Sequence, residues 1–139
     1  MIFVDTSFFF ALASTKDGDH ERVREVYEQF NPNQLSELWV TTNHVVFESI
    51  RLARRSLHHR AAVEMGERLY DESLARIHWA SAEEEYEAFE YLKRHHDKDY
   101  SPVDCLSFVV MLNHGIQEAL TIDSDFTHRF IARPGPARK

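Results

Sequence analysis

The chain opens with the stretch Ile-Phe-Val-Asp-Thr-Ser-Phe-Phe-Phe-Ala-Leu-Ala-Ser, residues 2–14, and this stretch decides the fold class. Its first three residues are an apolar run with β-forming side chains that ends at Asp5. Thr6 and Ser7 are residue types that cap helices, and the apolar segment from Phe8 to Ser14 predicts a buried helix. A short buried strand followed at once by a helix is the repeating unit of a parallel α/β sheet.

The same alternation continues along the chain. We predict further strands at 38–42, 74–79 and 119–122 and a short last one at 130–132, separated by helices that include 43–57, 60–72 and 101–115. Ser81 with Glu84, and Ser101 with Asp104, form capping-box patterns at helix starts. We place Tyr86, Phe89 and Leu92 on the inner face of the helix after Ser81. These elements predict a parallel sheet of four or five short strands in one domain at 1–133, with a short basic tail at 134–139.

Length and composition set the class of protein. A chain of 139 residues with 43% apolar side chains can bury a core as a single domain. Cys105 is the only cysteine, which favours a reducing compartment, and no apolar run approaches the ~20 residues that span a bilayer. The N-terminus shows no signal-peptide pattern. We therefore expect a cytoplasmic protein that does not enter a membrane.

The net charge of −7 argues against indiscriminate binding to nucleic acid, which depends on basic surface. It leaves room for a nuclease, because bound cations offset the charge of an acidic pocket. The segment 51–60 is the exception, with four arginines and no acid. Arg51, Arg54 and Arg55 are candidates for contact with RNA phosphates or an acidic partner; a solvated helix face is the alternative.

Four acidic residues lie where a strand ends or a helix begins: Asp5, Glu48, Asp104 and Asp123. The carboxyl ends of parallel strands share one edge of a sheet, and Asp5 and Asp123 close the first and fourth predicted strands. Glu48 lies about a turn and a half into the helix that follows the second strand. Asp104 begins the helix that leads into the fourth strand, so this helix runs antiparallel to the strand and starts near Asp123. The sequence therefore predicts all four acids at one edge.

Such a cluster predicts a metal site. Neighbouring carboxylates repel one another, which raises their pKa values unless a cation is present, and their oxygens suit Mg²⁺ or Mn²⁺. We expect Asp5, Asp104 and Asp123 to bind the metal, and Glu48 to bind a second ion or to orient the attacking water. Divalent ions held in this way support hydrolysis of phosphodiesters.

Structural roles remain open for the same residues. Asp104 could serve only as the capping-box partner of Ser101, and Asp123 only as a turn residue. The hydroxyls of Thr6 and Ser7 could donate to a metal-bound water or to substrate phosphate, or could cap the helix. Ser107 lies one turn beyond Asp104 and either orients it or packs in the core.

Histidine and aromatic residues give no further site at this level. The pairs at 58–59 and 95–96 consist of adjacent residues, which do not share a helix face, so we place them on the surface. No cysteine or histidine motif points to zinc. The phenylalanines are assigned to the core, and no stacking surface is indicated: Phe8, Phe9, Phe10, Phe89 and Phe108.

Several motifs together resemble a PIN domain. They are Val-Asp-Thr-Ser at 4–7, Val-Thr-Thr-Asn-His at 40–44 followed by Glu48, Asp-Tyr-Ser-Pro-Val-Asp-Cys-Leu-Ser-Phe at 99–108, and Ala-Leu-Thr-Ile-Asp-Ser-Asp-Phe at 119–126. The resemblance covers nearly the whole chain, and the size and spacing are most similar to the VapC-type toxins of toxin–antitoxin pairs. Asp125 departs from the pattern, since many relatives carry a basic or other polar residue there; it either adds a fifth acid or caps the following turn, and we favour the cap.

The resemblance implies a three-layer α/β/α fold and an endoribonuclease that depends on Mg²⁺ or Mn²⁺. It also implies that Asp5, Glu48, Asp104 and Asp123 are the acidic site residues, that the protein forms a homodimer, and that an antitoxin holds it inactive. A PIN-like module that binds RNA or protein without cutting is the alternative. A receiver-like signalling domain has less support, because the chain lacks an acidic pair near the first strand and a lysine near the last.

Overall fold

The computed structural model describes residues 1–137 and contains five strands and seven α-helices within them. The strands are β1 (Ile2–Val4), β2 (Trp39–Thr42), β3 (Arg76–His78), β4 (Glu118–Thr121) and β5 (Ile131–Pro134). The helices are α1 (Thr6–Ala13), α2 (His20–Tyr27), α3 (Leu35–Leu38), α4 (Asn43–Ser56), α5 (His59–Tyr70), α6 (Ala82–Arg94) and α7 (Pro102–Asn113). A 3₁₀ turn, Ser124–His128, joins β4 to β5.

All five strands are parallel, in the order β3-β2-β1-β4-β5. The chain moves in one direction from β1 to β3 and in the other from β3 to β5. Because crossovers between parallel strands are right-handed, α1 to α5 cover one face of the sheet and α6 and α7 cover the other. The expected three-layer α/β/α fold with a parallel sheet is confirmed, including the last strand.

The core has one aromatic cluster on each face of the sheet. On the face of α1 and α2, the fully buried Trp39 makes edge-to-face contacts with Phe8 and Phe30, at ring-centroid distances of 5.7 and 5.2 Å. On the face of α7, Phe108 packs edge-to-face on Phe126 at 4.9 Å, and Phe126 stacks on Phe3 of β1. Aromatic pairs of this kind add to the free energy that burial alone provides. They fix the helices to the sheet and so hold the carboxyl ends of the strands in place.

Helix starts differ in detail from the prediction. The N-cap of α1 is Asp5 rather than Thr6 or Ser7. The N-cap of α4 is Thr42, whose hydroxyl accepts from Val45 N at 3.1 Å. In each case the last residue before the helix keeps an extended backbone and presents an oxygen to the first turn. The two predicted capping boxes at Ser81 and Ser101 are both present.

The inner face of α6 was predicted wrongly. Tyr86 and Phe89 are 74% and 56% exposed, whereas Ala88 and Tyr91 are buried. The helix packs mainly against α7, and Tyr91 reaches Phe108 with a centroid distance of 5.7 Å. Tyr86 and Phe89, which were predicted to lie in the core, are therefore on the surface. The face of α6 that packs on α7 is the one that carries Ala88 and Tyr91.

Residues 134–136 are hydrogen-bonded to β4 and to α2. Gly135 N donates to Thr121 O at 3.0 Å, and the Arg22 guanidinium donates to the carbonyls of Pro134, Gly135 and Pro136. The predicted tail at 134–139 extends to Arg138 and Lys139, which lie outside the described residues. None of the helices within 1–137 combines the length and the hydrophobicity that crossing a membrane takes.

Candidate metal centre and active site

The site lies where the direction of chain winding reverses. β1 pairs with β2 on one side and with β4 on the other, so the carboxyl ends of β1 and β4 flank the switch point of the sheet. Ligands bind at such points in open α/β sheets, because the flanking connections diverge to opposite faces. Asp5 follows β1 directly and Asp123 follows β4 after one residue. The sequence predicted only that these acids share one edge of the sheet. The structure places Asp5 and Asp123 at the switch point on that edge.

Three carboxylates meet in this crevice. Oxygens of Asp104, Asp123 and Asp125 lie within 4.8 Å of one another, and all three side chains are half-buried. Asp125 N donates to Asp123 Oδ1 at 2.9 Å, so Asp123, rather than Asp125, caps the 3₁₀ turn. Asp125 therefore contributes a carboxylate to the group. We call these three residues with Asp5 the acidic pocket.

Asp5 forms the buried wall of the acidic pocket, with 4% of its surface exposed. Its Oδ2 accepts from Ser7 Oγ at 2.9 Å and from Thr121 Oγ1 at 3.0 Å. These hydroxyls in turn accept from the backbone beyond β4, with Ile122 N donating to Ser7 and Asp123 N to Thr121. The network joins the ends of β1 and β4 and fixes the orientation of the Asp5 carboxylate.

Asp104 is held by the start of α7. Its Oδ2 accepts from Ser101 N at 3.0 Å, while Asp104 N donates to Ser101 Oγ at 3.0 Å. This capping box orients the side chain toward Asp123 without any other side chain. Ser107 does not take part, because its buried Oγ donates to Val103 O at 2.9 Å. It serves the helix interior rather than Asp104.

Burial and mutual repulsion raise the pKa values of Asp5, Asp104 and Asp125. Burial, with the Asp104 charge second, raises the pKa of Asp5 to about 7, although hydrogen bonds from Ser7 and Thr121 oppose the shift. Burial, with the charge of Asp123 adding to it, raises the pKa of Asp104 to about 6 and also raises that of Asp125. Ionised carboxylates crowded in this way need a cation. An all-oxygen donor set of this kind fits a hard divalent ion.

Glu48 lies beside the acidic pocket rather than inside the three-carboxylate group. It is half-buried on α4 and lines a cavity of about 400 Å³ together with Arg51 and Val103, the neighbour of Asp104. The cavity therefore extends from Glu48 to the start of α7. A larger cavity of about 820 Å³ lies between α6 and α7, but no residue of the acidic pocket lines it.

The 400 Å³ cavity beside Glu48 carries an aromatic surface that the sequence did not indicate. Trp79 and Phe47 are 61% and 70% exposed, and Tyr70 stacks on Trp79 with a centroid distance of 6.5 Å and an interplanar angle of 25°. All three side chains line the cavity of Glu48. The sequence predicts Trp79 inside a strand at 74–79, but β3 ends at His78. A tryptophan directly after a strand end was the sequence signal for this exposed aromatic surface.

The remaining predicted residues fall into two groups. The Thr6 hydroxyl is buried and finds no hydrogen-bond partner within residues 1–137, whereas Ser7 is committed to Asp5. Arg51, Arg54 and Arg55 are exposed on α4, and only Arg51 lines the cavity of Glu48. The structure therefore brings one of the three arginines to the edge of the site.

Comparison with known proteins gives a family and similar structures. The model of the PIN domain family matches residues 2–129. The chain is 39% identical over 127 residues to the 23S rRNA-specific endonuclease VapC20 of Mycobacterium tuberculosis, covering 91% of this chain and 92% of that protein. The crystal structure of VapC20, described as a Sarcin-Ricin loop cleaving toxin, superposes with a TM-score of 0.83 at 37% identity, covering 92% of this chain and 94% of that one.

A more distant structure shares the fold alone. FitAcB from Neisseria gonorrhoeae superposes with a TM-score of 0.66 at 18% identity, covering 95% of this chain and 96% of that one. The likeness supports the α/β/α architecture and carries no statement about activity.

Proposed function

This chain belongs to the PIN-domain family, and from that premise we propose that it is a divalent-metal-dependent endoribonuclease that hydrolyses RNA phosphodiester bonds. The observation that carries the proposal is the meeting of Asp104, Asp123 and Asp125 at the switch point of the sheet, beside the buried Asp5. Its similarity to a 23S rRNA-specific endonuclease supports RNA as the substrate class.

The acidic pocket is suited to Mg²⁺ or Mn²⁺. A bound divalent ion supplies Lewis-acid stabilisation of the charge that develops on the phosphate and lowers the pKa of a bound water. Asp5, Asp104 and Asp123 would hold it. Ser7 and Thr121 contribute by fixing one oxygen of Asp5, which leaves its other oxygen directed to the ion.

Glu48 and Asp125 take accessory roles in this proposal. Glu48 lies on the wall of the adjoining cavity, where it can accept a proton from the attacking water or hold a second ion. Asp125 adds negative charge next to Asp104 and Asp123, which strengthens cation binding. Its position also raises the cost of ionising the pocket when no ion is bound.

The aromatic surface is the proposed path of the RNA away from the cut. RNA is recognised mostly through unpaired nucleotides whose bases stack on aromatic side chains. Trp79, stacked on Tyr70, offers such a face in the cavity that Glu48 and Arg51 also line. Because Arg51 lines the same cavity as Trp79, its guanidinium could hold a phosphate of the nucleotide stacked there. Arg54 and Arg55 extend the basic charge along α4.

The cellular setting follows from the same family. We infer that the protein acts in the cytoplasm, where its RNA substrate is found, and that an antitoxin protein restrains it by covering the acidic pocket. We also infer a homodimer through the helices α4 and α5, the second of which carries the exposed Val63. A monomeric mass by light scattering at high protein concentration would contradict the dimer.

Cleavage of a mixed RNA pool by the purified protein tests the activity. We expect cutting with Mn²⁺ or Mg²⁺ that is abolished by EDTA and by Asp104→Asn. Asn still accepts from Ser101 N, so this variant keeps the cap of α7 and removes only the charge. Absence of cutting by a folded protein free of co-purified inhibitor would favour a binding module without activity.

A further inference from the structure

A second group of metal-ligating side chains lies apart from the acidic pocket. His78, Glu84 and His114 each place a ligand atom within 4.8 Å of the others. They come from three elements, since His78 ends β3, Glu84 lies in the first turn of α6 and His114 caps the end of α7. The rings of the two histidines meet at a centroid distance of 4.9 Å and an interplanar angle of 69°.

The carboxylate of Glu84 is divided between two tasks. Its Oε1 accepts from Ser81 N at 2.9 Å and so completes the capping box of α6. His78 Nε2 lies 2.9 Å from both oxygens, and Oε2 has no other hydrogen-bond partner within residues 1–137. One oxygen is therefore free to bind an ion while the other keeps the helix cap.

We propose that His78, Glu84 and His114 form a binding site for a zinc-class transition-metal ion. Two imidazole nitrogens and one carboxylate oxygen are a donor set that Zn²⁺ accepts, with a water in the fourth position. Two ligands on one tetrahedral Zn²⁺ lie about 3.4 Å apart, so the 2.9 Å pair of His78 and Glu84 needs to open by only about half an ångström. An ion bound at Nε2 takes the place of the proton of this hydrogen bond, and that proton moves to Nδ1 of the His78 ring.

The position of the site favours entry and has a structural consequence. His114 is exposed and, like His78, lines a cavity of about 340 Å³ at the sheet surface. An ion there would tie the end of β3 to both helices of the α6–α7 layer. Arg76 lines the same cavity, and its charge opposes a cation. Removing that charge in Arg76→Gln should tighten the binding of Zn²⁺ by about two- to tenfold.

The two sites of this protein differ in ligand chemistry, and this difference allows a clean test. The acidic pocket offers oxygen atoms only and can be kept filled by an excess of Mg²⁺, whereas imidazole nitrogens favour Zn²⁺. Calorimetric titration with Zn²⁺ in the presence of excess Mg²⁺ therefore reports on the histidine site. Wild type should bind one Zn²⁺ per chain under these conditions.

The variants are His114→Ala, Glu84→Gln and the control His59→Ala. Glutamine can still complete the capping box, and His59 is an exposed histidine at the start of α5. We expect at least about tenfold weaker binding in the first two variants and no change in the control. Equal affinity in all three proteins would overturn the proposal, as would loss of binding in the control.

Co²⁺ bound to wild type gives a measurement that does not depend on variants. A tetrahedral site with nitrogen ligands gives Co²⁺ an intense visible absorption, which Zn²⁺ should displace and Mg²⁺ should not. A weak spectrum of the kind that six oxygen ligands produce would overturn the assignment even if a variant failed to fold.

Discussion

Replacing Asp5 by asparagine should stabilise the metal-free protein more at pH 8 than at pH 5. Burial, reinforced by Asp104, raises the pKa of Asp5 from 3.8 to about 7. The folded protein therefore keeps the proton of Asp5 up to about pH 7, whereas the unfolded chain releases it near pH 4. The stability that the protein has below pH 4, where Asp5 is protonated in both states, is lost as the pH rises to 7. The difference between the two pKa values of Asp5 corresponds to a loss of about 4 kcal/mol in the free energy of unfolding.

Asparagine fits the surroundings of Asp5. Every hydrogen bond to the carboxylate goes to Oδ2, from Ser7 Oγ at 2.9 Å, Ser7 N at 3.4 Å and Thr121 Oγ1 at 3.0 Å. A carbonyl oxygen in that place keeps them, and the NH₂ group faces the other carboxylates. Since neighbouring acids also adjust their protonation, we expect about half of this 4 kcal/mol limit. The variant should therefore gain about 2 kcal/mol in free energy of unfolding at pH 8. In a domain of this size that raises Tm by about 6 °C.

Thermal unfolding followed by circular dichroism, with EDTA at pH 8 and at pH 5, measures the effect. Glu67→Gln is the matched control, because it removes an exposed carboxylate on α5. Adding Mn²⁺ at pH 8 should raise the Tm of wild type more than that of Asp5→Asn, which lacks a charged ligand. A Tm of the variant at or below wild type at pH 8, or an equal gain at both pH values, would refute the burial cost assigned to Asp5.

Four further outcomes are expected. Asp123→Asn should lower RNA cleavage roughly a hundredfold or more while leaving the circular dichroism spectrum unchanged, since its remaining oxygen still caps the turn. Trp79→Ala should raise KM about tenfold with little change in Tm, because the side chain is exposed and one stacked base contributes ~1–3 kcal/mol; an unchanged KM would remove it from the RNA path. Phe108→Ala should lower the free energy of unfolding by about 3–5 kcal/mol in urea titration, because it removes the aromatic centre of the α7 face. Ser101→Ala should cost about 1 kcal/mol in the same titration, and retention of full stability would argue against the capping box.

The shared edge of the acids was predictable because it depends only on chain direction. A residue at the carboxyl end of a parallel strand and a residue at the start of the helix leading into such a strand must reach the same side of the sheet. Asp5, Asp104 and Asp123 obey this rule, and the structure places them in one crevice. The rule does not specify distance, and Glu48, which follows β2, reaches the neighbouring cavity instead.

Other parts of the site depend on information that local sequence does not carry. The carboxylate of Asp125 joins the acidic pocket because the 3₁₀ turn, capped by Asp123, curls back over it. His78 and His114 lie 36 positions apart, and their meeting depends on how α7 packs against the end of β3. Spacing rules for metal ligands work within one helix or loop, so a site assembled from separate elements has no such signature.

Three aspartates of the acidic pocket are also helix-capping groups. Asp5 and Asp123 are N-caps, and Asp104 is the third residue of a capping box. A structural and a functional role would compete only if a carboxylate had a single oxygen. The cap binds one oxygen of the carboxylate to backbone N–H groups at the positive end of the helix dipole. The second oxygen is left to point where the helix start directs it.

At the carboxyl edge of a parallel sheet, several helices start around one crevice, so their caps aim several carboxylates at a common point. A capping pattern at such an edge is therefore an argument for a metal pocket rather than against one.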